Sequence, residues 1–301
     1  MAQMRFEKWQ ALGNDYLIVE QDELPFELTP ARVRKLCEGH FGVFADGVLL
    51  LSRAQDPAHV ADLRIFNPDG SEAELSGNGA REAIMYLRQR GWTERDTFAI
   101  ATAAGEIRPT ITGAHTCTMD MGVARLCSKD FPGGPADGRG TLSASGRDWG
   151  FRHVSIGNPQ CAIRVGSCEQ LESLDIEAIG PAIEADSRFP NRTNVSWYAP
   201  AGNPTAPDGQ EGTRAMIRAR IFERGVGETL ASGTGATGAA VAYALECDPG
   251  RRPTRVGVLL DGGELDVEVD GELRVKLTGW ARPVFAGRLS EDFEKELHET
   301  E

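Results

Sequence analysis

Over residues 216–222, Ile217, Ala219 and Ile221 alternate with Arg218 and Arg220, the period-two pattern of a strand with one buried face. The same alternation runs through Ala61-Asp-Leu-Arg-Ile-Phe66, and Asn67-Pro-Asp-Gly70 stops it with turn-forming residues. Each strand leads toward a segment of the other period. Ala80, Ala83, Ile84 and Leu87 share one face of a predicted helix over 80–90 that Gly91 ends, and 235–245 is apolar nearly all round, which predicts a helix buried on every side. Elsewhere, 6–20 is apolar and extended with a turn predicted at Gly13-Asn14-Asp15, and a helix is predicted from Pro30 to Cys37. Val48–Leu51 and His153–Ile156 read as strands, and 98–126 as short strands broken at Gly105 and Gly113. Leu265, Val267 and Val269 on one side and Leu273, Val275 and Leu277 on the other predict a hairpin turning at Asp270-Gly271. Residues 131–150, rich in Gly, Pro, Asp and Ser, predict an exposed connection, and 199–213 a polar loop.

Within this pattern the chain writes one unit twice. Residues 72–80 read Glu-Ala-Glu-Leu-Ser-Gly-Asn-Gly-Ala, and 228–236 read Glu-Thr-Leu-Ala-Ser-Gly-Thr-Gly-Ala. Strands, a turn, Ser-Gly-x-Gly, a buried helix and further strands follow in the same order around both copies, which predicts two related halves. Strands and crossover helices do not alternate regularly, so a doubly wound parallel sheet is not expected.

Composition narrows the function. At 301 residues, 41% hydrophobic and 26% charged, the chain is long enough for two globular domains. Its formal charge of −13 disfavours nucleic acid and anionic membranes as partners. No run approaches the roughly 18 apolar residues of a membrane span, and the first residues lack the apolar core of a signal peptide, so a cytoplasmic location is expected. The six cysteines show no CxxC spacing, which argues against a zinc site and a disulfide scaffold; they read as buried or incidental thiols. No metal is expected.

A Gly-x-Gly at a helix start leaves backbone N–H groups free for an anionic ligand, and the helix dipole adds positive potential. Two such starts, each carrying a serine, could hold one carboxylate and place a proton-handling hydroxyl on either side of an alpha carbon. Racemisation and epimerisation need that arrangement. Taken one copy at a time, Ser76 and Ser232 read equally as plain N-caps. Gly233-Thr-Gly-Ala-Thr-Gly238 also fits the dinucleotide fingerprint G-x-G-x-x-G, with Asp261 further on. The first copy has Glu82 in place of the third glycine, and eight residues separate strand from glycine in the second.

At these residues the chain resembles the diaminopimelate epimerase family of cofactor-independent epimerases. The resemblance rests on Leu12-Gly-Asn-Asp-Tyr16, Ala45-Asp-Gly47, Phe66-Asn-Pro-Asp-Gly-Ser-Glu72, Ser76-Gly-Asn-Gly-Ala-Arg81, Gly157-Asn-Pro159, Phe189-Pro-Asn-Arg-Thr-Asn-Val195, Glu223-Arg-Gly-Val-Gly-Glu-Thr229 and Leu277-Thr-Gly-Trp-Ala281. It implies an α+β fold of two similar domains, each a mostly antiparallel, barrel-like sheet around a central helix, with the active site in the cleft between them. The domains would be 1–126, joined by the C-terminal strands of 278–301, and 127–277. It implies interconversion of LL- and meso-diaminopimelate without a cofactor, in a homodimer. Gly77-Asn78 and Gly233-Thr234 would hold the alpha carboxylate, Glu223 the alpha amino group, and Asn67, Asn158, Asn194 and Arg224 the distal end, with Asn14 lining the cleft.

The catalytic positions of the resemblance are Ser76 and Ser232, where the family has a thiolate and a thiol; Gln160 stands where the family usually has His. Three accounts fit: a Cys-to-Ser double variant, a natural Ser/Ser epimerase assisted by Glu72, Glu228 or water, or a relative that binds an amino acid or catalyses a different isomerase or dehydratase reaction. Gln160, outside the pair, favours natural divergence.

Overall fold

Leu12 and Gly13 both take positive φ, 54° and 85°, and this two-residue turn folds the first apolar segment into a hairpin of β1 (Arg5–Ala11) and β2 (Asn14–Glu20). The turn therefore lies at Leu12-Gly13, and Asn14 and Asp15 belong to β2. The structure, a computed structural model, describes residues 3–202, 214–247 and 255–300. It separates into one unit of Met1–Met119 with Gly279–Glu301 and a second of Asp120–Thr278.

In the first unit, α1 (Pro30–Cys37) starts at the Thr29 cap and carries the chain to β3 (Val48–Arg53), parallel to β2. β4 (Ala61–Phe66) returns antiparallel, and β5 (Glu72–Ala73) folds back on it after the 67–70 turn. Helix α2 (Gly77–Gln89) then crosses to β6 (Ile100–Thr102), parallel to β4, and β7 (Gly105–Ile107) follows. β8 (Pro109–Ile111) and β9 (Thr116–Val123) form a further hairpin, and β9 carries the chain from the first unit into the second.

The second unit repeats this order. β10 (Arg139–Ala144), β11 (Arg147–Ser155) and β12 (Pro159–Arg164) are antiparallel neighbours. Helices α3 (Cys168–Glu172) and α4 (Ile176–Glu184) connect β12 to its parallel neighbour β13 (Asn194–Pro200). β14 (Arg214–Glu223) is antiparallel to β13, β15 (Gly227–Thr229) folds back on it, and α5 (Gly233–Glu246) crosses to the parallel β16 (Arg255–Leu260). β17 (Gly263–Val269) and β18 (Arg274–Trp280) complete it. β19 (Arg282–Arg288) then pairs with β1, and α6 (Glu291–Glu299) buries Leu297 in the first unit's core. The duplication extends to register: Phe66 faces Glu72 and Ile65 faces Ala73, as Phe222 faces Glu228 and Ile221 faces Thr229.

The two helices that follow the repeated unit are enclosed by their sheets. α5 touches β11, β12, β13, β14, β16 and β17, six consecutive neighbours of one sheet. Six strands at about 4.8 Å spacing span about 24 Å, twice the width of a helix, so the sheet must curl around α5. Gly, Ala and Val on nearly every face of α5 allow that close approach, and Ala236, Ala239, Ala240, Val241 and Ala244 are all buried. α2 lies in the same way against β19, β1, β2 and β3. Both helices start earlier than their apolar faces indicate, at Gly77 and Gly233, because each Ser caps the turn before.

Two expectations are corrected. Residues 131–150 are not an exposed connection: β10 and β11 occupy their second half, with Leu142, Ala144, Trp149 and Phe151 in the second unit's core beside Phe131. Their glycines mask a period-two pattern, and Ser145 and Gly146, at φ 52° and 73°, make the turn. Leu273 is not in a strand; with φ 59° it closes a four-residue turn whose Asp270 side chain accepts from the N–H groups of Glu272 and Arg274. The polar loop read over 199–213 lies from residue 203 onward outside the described residues. Among the described residues no helix is long and apolar enough to cross a membrane.

Trp197 of β13 is fully buried, edge-on to Trp149 at 6.3 Å between ring centroids. Trp197→Ala is expected to lower unfolding stability by about 3–5 kcal/mol. Urea denaturation, with an unchanged slope against urea, checks it.

Candidate active site

Ser76 is extended, at φ −126° and ψ 122°, and its Oγ accepts the N–H of Gly79 at 3.1 Å. Ser232 repeats this at φ −135° and ψ 124°, its Oγ accepting from Gly235 at 3.3 Å. Each serine thus satisfies one of the first N–H groups of an enclosed helix and leaves earlier ones, at Gly77-Asn78 and Gly233-Thr234, near the helix start where an anion is stabilised.

The loop before each serine is fixed by an ion pair. Arg64 of β4 grips Glu72 with two hydrogen bonds of 2.9 Å, and Arg220 of β14 grips Glu228 at 2.7 and 2.8 Å. Arg220 also donates to the carbonyls of Leu171 and Leu174. The Arg64 guanidinium holds Glu72 below the ordinary carboxylate range. The duplicated glutamates therefore position the loops, and each is hydrogen-bonded to its arginine and not to its serine. The sequence carried this signal: Arg-Ile-Phe precedes each serine by the same interval, at 64–66 and 220–222.

Beyond the cap the two serines differ. The Tyr16 phenol donates to Ser76 Oγ at 3.2 Å. Ser232 instead donates to Glu223 Oε2 at 3.1 Å, while Thr229 donates to Oε1 at 2.9 Å. Burial raises the Glu223 carboxyl above its ordinary value, and the Thr229 and Ser232 hydroxyls only partly offset this. A carboxylate raised in this way and bonded to a hydroxyl is equipped to accept a proton through it.

The remaining predicted residues make several separate sets of contacts. Asn158 Nδ2 donates to Thr234 Oγ1 at 3.2 Å, and its Oδ1 accepts from Gln160 at 2.8 Å, so Asn158, Thr234 and Gln160 meet at the start of α5. Asn78 accepts from Arg81. Asn194 joins two loops, donating to Pro159 O at 3.2 Å and accepting from Arg224 N at 2.8 Å; Arg224 itself is exposed and donates to Asn191 O. Asn67 turns to Ser71 and Asn14 to Asp46, with no hydrogen bond to Ser76. Tyr16 was missed as a site residue because 60 residues separate it from its partner.

The other chemistries have less support. Burial pushes the Cys37 and Cys117 thiols up to about 12 and Cys161 well above its ordinary value, which leaves them unreactive. Asp261, required by the dinucleotide reading, is engaged by Arg218. A side chain at Gly238 would come within 2.7 Å of the Gln160 side chain, so this third glycine serves packing. Among the described residues no group of His, Cys, Asp or Glu could hold a metal ion.

The family model described as diaminopimelate epimerase matches residues 6–127 and 152–282. The chain belongs to the diaminopimelate epimerase family. It is 38% identical to a Synechococcus diaminopimelate epimerase over 96% of this chain and 99% of the relative, and 37% identical to one from Thioalkalivibrio sulfidiphilus over 95% and 99%. The fold also matches solved structures of low identity. A Bacillus anthracis PhzF-family phenazine biosynthesis protein aligns at TM-score 0.65 and 18% identity over 96% of this chain and all of that one. A hydroxyproline epimerase from Agrobacterium vitis aligns at TM-score 0.62 and 17% identity, covering 97% and 93%. The family's epimerases act on small molecules, and the two curated relatives align with this chain nearly end to end.

Because burial raises Glu223, folding favours its protonated form. The cost of its buried charge is absent below the unfolded value of about 4.5 and full above the folded value. Glu223→Gln is therefore expected to raise the melting temperature at pH 8, with the gain fading as pH falls through the raised folded value and gone by about 4.5. Thermal unfolding of both proteins from pH 4 to pH 8 checks the sign.

Proposed function

We propose that the protein interconverts LL- and meso-diaminopimelate by two-base transfer of the alpha proton, with Ser76 and Ser232 as the proton-handling groups and no cofactor. The observation that carries this reading is the pair of identically capped helix starts, each serine hydrogen-bonded to a second acid–base group. The N–H groups of Gly77-Asn78 and Gly233-Thr234 bind the alpha carboxylate and take up the negative charge that develops as the alpha proton leaves. Ser232 takes that proton as it passes its own to Glu223, which also meets the alpha amino group. Asn67, Asn158, Asn194 and Arg224 receive the distal amino-acid end, with Asn14 beside them. The protein is proposed to act in the cytoplasm as a homodimer.

One observation favours a second reading. Both hydroxyls are alkyl alcohols, far weaker acids than a thiol of pKa about 8.5. A chain that binds diaminopimelate without turning it over would keep the same carboxylate site.

Proton NMR of LL- and meso-diaminopimelate in heavy water separates the two. The epimerase loses the alpha-proton signal from both stereoisomers and interconverts them. Saturable binding with no loss of signal would show a silent binder.

A further inference from the structure

The two half-sites occupy equivalent positions in the duplicated fold. Gly13-Asn14 leads into β2 as Gly157-Asn158 leads into β12, so Tyr16 corresponds to Gln160. Phe66-Asn67 leaves β4 as Phe222-Glu223 leaves β14, so Asn67 corresponds to Glu223. The serine's partner has changed position between the halves. In the second unit position 223 supplies it, and Gln160 turns to Asn158. In the first unit Asn67 turns to Ser71, and position 16 supplies the partner as a phenol.

The Tyr16 ring is held for this contact. A side chain at Gly47 would come within 2.7 Å of its Cε1, and one at Gly79 within 3.3 Å of its Cε2. Two absent side chains thus form the slot that aims the hydroxyl at Ser76, and the ring is buried. The Ser76 oxygen already accepts from Tyr16 and from Gly79, so its own proton is directed to neither. Ser76 is arranged as a proton donor with a phenol behind it.

We propose that Tyr16 is the proton reservoir of the first half-site, acting through Ser76 as Glu223 acts through Ser232. The inference rests on the epimerase reading. In the step, the O–H bond of Ser76 breaks as the C–H bond forms at the carbanionic alpha carbon. The Tyr16 phenolic proton moves to Ser76 Oγ, the phenolate keeps the negative charge, and the reverse direction runs the same transfers backward. A phenol is a far stronger acid than an alkyl hydroxyl, so the relay leaves the charge on a less basic oxygen than the alkoxide that Ser76 alone would leave. Tyr16 is a positioning residue for Ser76 that also stores its proton.

The test is Tyr16→Phe, which removes one oxygen and keeps the ring, assayed by alpha-proton exchange on each stereoisomer in heavy water at saturating ligand. The relay predicts that interconversion falls by about 100-fold or more with KM within about threefold of wild type. It also predicts that only one stereoisomer, the one whose proton Ser232 takes, still exchanges. Fluorotyrosine at position 16, with a more acidic phenol, should restore exchange of both stereoisomers at a changed rate. Wild-type exchange of both in Tyr16→Phe overturns the relay alone. An equal loss for both stereoisomers, or a loss that follows weaker binding, also overturns it by showing a structural role. A wild-type chain that exchanges neither stereoisomer overturns the epimerase reading itself, and the relay with it.

Discussion

A helix wrapped by a sheet cannot satisfy its first N–H groups with water along its length, so its start must be capped, and whatever remains uncapped is a place for an anion. This constraint organises both units. The sheet curls because α2 and α5 are enclosed, the enclosure fixes where each helix begins, and Ser76 and Ser232 stand at those two points. The Arg64–Glu72 and Arg220–Glu228 pairs fold β5 and β15 back so that the chain arrives at each cap from the same direction.

Duplication provides the scaffold, and divergence within it provides the chemistry. An epimerisation needs two proton carriers that act on one carbon, but the carriers need not be alike. Here one serine is joined to a buried carboxylate and the other to a phenol. In both cases a weakly acidic hydroxyl is hydrogen-bonded to a group that ionises more readily, and the proposed epimerisation would use that pairing to pass a proton through the serine without leaving an alkoxide.

Much of this was legible in the sequence. The twice-written Ser-Gly-x-Gly, the alternation into each copy and the all-apolar 235–245 segment point directly to two halves with buried helices. The 131–150 segment was misread because its glycines and acids, which serve turns and an exposed face, outnumber the inward Phe131, Leu142, Ala144 and Trp149. The partners of the serines were harder to see for a physical reason: Tyr16 and Ser76 meet only when β2 and α2 pack, which spacing along the chain does not encode. Arg64 and Arg220 were visible as the polar face of an alternating strand, but only the structure shows that each reaches forward to its glutamate.

The most direct test of the two-serine account is alpha-proton exchange by Ser76→Ala and Ser232→Ala, each measured separately with LL- and meso-diaminopimelate in heavy water. The account predicts that both variants lose interconversion and that each retains exchange with one stereoisomer, a different one in the two variants. Loss of exchange with the same stereoisomer in both, or undiminished interconversion in either, would contradict it.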